Sequence, residues 1–166
     1  MAKKGNKSKK AVIATRANEA YVALKNNRYQ ARASRLIDIE PGFALLLLWC
    51  EVEQMLKLIR YSDKIKDGWP DKLNFIRSSW GPLKRIKGID AVAYEIVLGA
   101  QDNSLWKQRN VIAHSGQQMT KEKALQYWSC VEKVNSLLRD ELPCREDLIT
   151  KKMRSDAQTA HGNKNV

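Results

Sequence analysis

The chain has 166 residues, 43% of them hydrophobic, and a formal net charge of +12. That is room for one domain with its own core, and the chain is too apolar to be disordered throughout. Eight Gly and four Pro are too few for an all-β fold, which needs turn residues every ~8–12 positions; the longest apolar run, Phe43 to Cys50, is closed by Glu51 and Glu53, short of the ~20 residues of a membrane span.

The positive charge is concentrated at the two ends. Residues 1–10 hold five lysines and no acid, and residues 151–166 carry a net +3, which leaves +4 for residues 11–150. These ends are rich in Lys, Asn, Ser and Gly and bury too little apolar area to offset their ordering entropy. We expect a flexible basic arm over 1–10, a helical domain over 11–145 and a polar basic tail over 146–166. Such arms attract phosphate without reading sequence, or serve as solubilising ends. No apolar stretch follows the N-terminal charges, as a signal peptide would require. Cys50, Cys130 and Cys144 cannot all pair within the chain and form no CxxC, which reads as reduced thiols in a cytoplasmic protein.

In chain order, residues 11–38 are dominated by helix formers and predict one long or broken helix. Pro41-Gly42 marks a stop and a start. Residues 43–61 give the strongest pattern: at ~100° per residue, Leu45, Leu48, Trp49, Val52, Met55, Leu56 and Ile59 share one sector, with Glu51 and Glu53 at its margins. This helix should be the centre of the core. Gly68-Trp69-Pro70-Asp71 predicts a turn into a short helix through Trp80, and a basic linker over 82–88 follows. Asp90 is placed to cap a helix over 91–100, Asp102-Asn103-Ser104 to cap one over 105–114, and Thr120 to cap one over 121–141. Gly116 suits a left-handed C-terminal residue after the second of these. No strand is predicted. The expected architecture is an all-α, up-down bundle of four to five main helices.

Chemistry concentrates on one segment. The chain lacks a Walker motif, GxGxxG, GxSxG and any Cys/His group at zinc spacing, so nothing in it calls for a cofactor or a metal. It has two His, and His161 lies in the polar tail. His114 follows Arg109-Asn110-Val111-Ile112-Ala113, an Arg, a polar residue, three mostly apolar residues and a His. An imidazole exchanges a proton near neutrality, and a helix C-terminus favours its cationic form. Asn110 lies four residues earlier on the same face, placed to orient the ring. Arg109 offers a planar cation to a phosphate gaining charge.

This Arg-polar-x3-His segment, in a capped helix of an all-α chain, resembles the HEPN family (higher eukaryotes and prokaryotes nucleotide-binding domains). The resemblance spans about residues 43–141. It implies a homodimer with the motif helices at the interface, and a metal-independent ribonuclease with Arg109, Asn110 and His114 as catalytic residues. It also implies a toxin or antiviral defence effector with an antitoxin or defence-complex partner. In that family an acidic residue on an earlier helix stands near the motif Arg; Glu53 and Glu51 are the candidates. Some toxin members carry a Tyr two positions after the motif His, where this chain has Gly116. RNA supplies its own nucleophile, the 2′-hydroxyl, so positioning and proton transfer suffice to leave a 2′,3′-cyclic phosphate and a 5′-hydroxyl. Lys84, Arg85, Lys87 and Lys107 are candidate RNA-binding cations, the first three close to Arg77, Trp69 and Trp80. The alternative is a non-catalytic helical module that binds RNA, nucleotide or protein, or an accessory subunit of a defence complex.

Overall fold

The computed structural model describes residues 16–63, 88, 90–115 and 118–142, with side chains up to residue 59 in its longest helix. Both basic ends, the Trp69–Trp80 segment, Arg77, the cations Lys84, Arg85 and Lys87, Gly116 and Cys144 lie outside the described residues.

The fold is all-α. Six helices and no strand occur among the described residues: α1 (16–25), α2 (Arg28–Leu36), α3 (Pro41–Asp63), α4 (Ala91–Leu98), α5 (Leu105–Ser115) and α6 (Lys121–Asp140). No helix among them is long and apolar enough to cross a membrane. The segment expected as one long or broken helix is broken, at Asn26-Asn27. Asn27 adopts φ 49°, in the left-handed region, which Asn tolerates better than most residues with a side chain. Its Oδ1 accepts a hydrogen bond from Arg139 Nη2 at 3.3 Å, and its side chain makes no cap bond to α2.

Helix α3 opens with Pro41 in its first turn, where a missing N–H costs nothing. Helices α2, α5 and α6 all pack on it. Leu45, Leu48, Trp49, Val52, Met55 and Leu56 are buried as their periodicity predicts, each Leu, Val or Met contributing about 1.5–3 kcal/mol. Ile59 is only partly buried, whereas Leu58, outside the predicted sector, is fully buried. A single apolar stripe describes a helix at a surface, and α3 has neighbours on several sides.

The three predicted caps form. Asp90 Oδ1 accepts from Ala93 N at 2.9 Å, Ser104 Oγ from Lys107 N at 3.4 Å, and Thr120 Oγ1 from Lys123 N at 3.3 Å. Helix α4 ends at Leu98, two residues earlier than expected, with Gly99 as its C-cap, and Tyr127 on α6 donates its hydroxyl to Asn103 O. The caps and this tie set where α5 begins, and so which of its residues meet α3.

Candidate functional site

Helix α5 carries the motif, and its two sides do different work. Arg109 points inward and is 9% exposed. Its guanidinium carbon lies 4.0 Å from the ring centroid of Trp106 and 4.7 Å from that of Trp49. Its Nε donates to Trp106 O at 3.1 Å, and its Nη1 lies 3.5 Å from Glu53 Oε2. Glu53 is held in turn by Trp49 Nε1 at 3.0 Å and Lys57 Nζ at 2.7 Å. The two indoles meet at 5.3 Å between centroids. The result is a cage of two aromatics, a carboxylate and a cation joining α5 to α3. Burial lowers the Arg109 pKa from its ordinary value, and Glu53 opposes that shift.

His114 and Asn110 point outward. Both are exposed, as are Lys107 and Val111. The spacing 107, 110, 111, 114 makes one stripe along the helix. His114 stands in the last turn of α5, as expected. The separation from Arg109 to His114 is five residues, about 7.5 Å along the axis and about 140° around it. The structure therefore brings Asn110, His114 and Lys107 onto one surface and does not bring Arg109 with them. Among the described residues no hydrogen bond links Asn110 to His114. On the flank of α5 that carries Ile112, turned away from this stripe, α3 starts close by: a Cβ on Gly42 would lie 3.1 Å from Ile112 Cγ2. The neighbouring Phe43 is 60% exposed, and Ile39 is 74% exposed.

The two acidic candidates separate cleanly. Glu53 faces the motif Arg. Glu51, 1% exposed, faces α6 and pairs with Arg139 at 2.5 Å. Burial raises the Glu51 pKa against the lowering influence of Arg139. Among the described residues its Oε2 has no hydrogen-bond partner, and neither polar atom of the Asn135 side chain has one. Cys50 lies near Glu53 and Arg109 instead, and burial raises its thiol pKa. Among the described residues no three His, Cys, Asp or Glu side chains converge as metal ligands.

Sequence reasoning missed the cage. It treated Trp49 as core and gave Trp106 no role. The spacings Trp49–Glu53 and Trp106–Arg109, four and three residues, were the available signal, since each puts an aromatic beside a charge on one helix face. Comparison with protein-family models, with curated proteins and with solved structures finds no match to this chain.

Proposed function

We propose that this chain is a metal-independent endoribonuclease of the HEPN type, acting as a homodimer in a toxin or antiviral role. The observation that carries the reading is the exposed stripe of α5, where His114, Asn110 and Lys107 share one surface. His114 exchanges the proton, Asn110 lies one turn back to orient the ring, and Lys107 attracts phosphate. The 2′-oxygen of the substrate attacks the adjacent phosphorus. The 2′-O–P bond forms as the P–5′-O bond breaks; one imidazole takes the 2′ proton and a second delivers a proton to the leaving 5′-oxygen. One chain has one imidazole in this region, so a two-fold pairing of α5 stripes supplies the other. The exposed Val111 within the stripe favours such a pairing. Arg109 enters as a positioning residue that holds α5 on α3, a different role from the phosphate brace its place in the motif suggests.

The test is cleavage of total RNA by the purified protein in chelator, with the ends identified. Cleavage leaving cyclic phosphate and 5′-hydroxyl, lost in His114→Ala and at a 2′-deoxy nucleotide, supports the proposal. Full activity in a species that sediments as a monomer contradicts the paired-stripe mechanism. The enclosure of Arg109 favours a second reading, a non-catalytic helical module that binds RNA or protein. RNA binding by wild type without cleavage selects it.

A further inference from the structure

A groove of about 670 Å³ opens between α1, α2 and α3, away from the motif helix. One stripe of α1, at positions 16, 19, 20 and 23, forms a wall; the short side chains of Ala20 and Ala23 leave it hollow, and Arg16 and Glu19 stand exposed on it. The left-handed Asn27 turns the chain back so that Arg28 and the half-buried Tyr29 form the opposite side. Gln54 of α3 closes the third side. The lining thus combines two guanidiniums from different helices, one aromatic ring, one amide and one carboxylate. Guanidinium groups suit phosphate. A Tyr ring suits a planar base. An amide reads the polar edge of a base, and the Glu19 carboxylate accepts from a ribose hydroxyl or an exocyclic amino group.

We propose that this groove binds a nucleoside phosphate, with the phosphate on Arg16 and Arg28 and the base against Tyr29. It shares no lining residue with the α5 stripe, and it stands whether or not the chain cleaves RNA. The ligand is either a free nucleotide or one unit of an RNA strand, which present the same chemistry.

The experiment is calorimetric titration of the full-length His114→Ala chain, in which the proposed cleavage is disabled. The probes are a mixture of nucleoside 5′-monophosphates, ribose 5-phosphate and a short mixed-sequence oligoribonucleotide. Nucleotides should bind, and ribose 5-phosphate should bind about tenfold more weakly for want of a base to stack. Arg28→Gln, an exposed position, should weaken nucleotide binding about tenfold and reduce its salt dependence. Tyr29→Leu should cost a similar factor and Tyr29→Phe should restore it. If Tyr29→Leu does not fold, Arg28→Gln and the ribose 5-phosphate comparison decide alone. A tighter, Arg28-dependent oligonucleotide complex assigns the groove to a strand, and equal affinities assign it to a free nucleotide. Absence of nucleotide binding at millimolar concentration, or binding indifferent to Arg28→Gln, overturns the proposal.

Discussion

Replacing Arg109 separates a structural role from a catalytic one. Its guanidinium lies 4.0 Å and 4.7 Å from two indole centroids that are themselves nearly buried. A desolvated cation–π contact is worth up to about 2 kcal/mol, and an exposed one about 0.5–1. Arg109→Ala also leaves a void between the rings, and large-to-small changes in a core cost about 2–5 kcal/mol. Glu53 would keep Lys57 and the Trp49 N–H, so the full cost of stranding a buried charge does not arise. The expected loss is about 2–4 kcal/mol. For a chain of this size that lowers Tm by about 5–15 °C. Arg109→Lys keeps the charge but loses the flat stacking surface, and should cost about 1–2 kcal/mol. Urea unfolding followed by far-UV circular dichroism gives the free energy, and tryptophan emission reports the rings directly. An Arg109→Ala chain that unfolds within about 0.5 kcal/mol of wild type would refute the structural reading of the cage. Where Arg109→Ala is destabilised as expected, its loss of cleavage says nothing about catalysis, whereas a folded Arg109→Lys chain with normal substrate affinity and depressed kcat places the cation at the reaction.

Further outcomes follow from the same geometry. Asn135 is 1% exposed with both polar atoms unpartnered among the described residues, so Asn135→Leu should raise stability in urea by about 1 kcal/mol. Glu51 and Asp90 should give opposite acid responses. The raised Glu51 pKa means the native state holds more protons than the unfolded chain between the ordinary glutamate value and the shifted one, so its contribution to stability grows as pH falls through that window. The Asp90 pKa is lowered by the Ala93 N–H and by Lys133, so its contribution is full above the unfolded value and is lost as pH falls through the native one. Stability curves of Glu51→Gln and Asp90→Asn against pH should diverge from wild type in these opposite senses; parallel curves would contradict both assignments. A Cβ at position 99 would meet Glu95 O at 2.2 Å, so Gly99→Ala should cost about 1–3 kcal/mol by displacing the end of α4, read as a lower urea midpoint with unchanged slope.

Asp90, Ser104 and Thr120, with Pro41 in the first turn of α3, mark helix starts in the sequence because capping is chemistry between residues two or three positions apart. The apolar spacing from Leu45 to Leu56 foretold a core helix for a similar reason, since periodicity follows from backbone geometry. The sequence also narrowed the candidate chemistry to the turns of α5 around His114. It could not say which way Arg109 and His114 point, because each sits on the same short helix and either was free to face inward. That choice belongs to Trp49 and Glu53, more than fifty positions away in the chain, which offer a guanidinium two aromatic faces and a carboxylate. Likewise Glu51 and Glu53 are two residues apart and equivalent on paper; only the packing of α5 against one side of α3 and α6 against another gave the first to Arg139 and the second to Arg109. Local order is written in neighbours, but the partner of a buried charge is set by whichever distant helix removes the water around it.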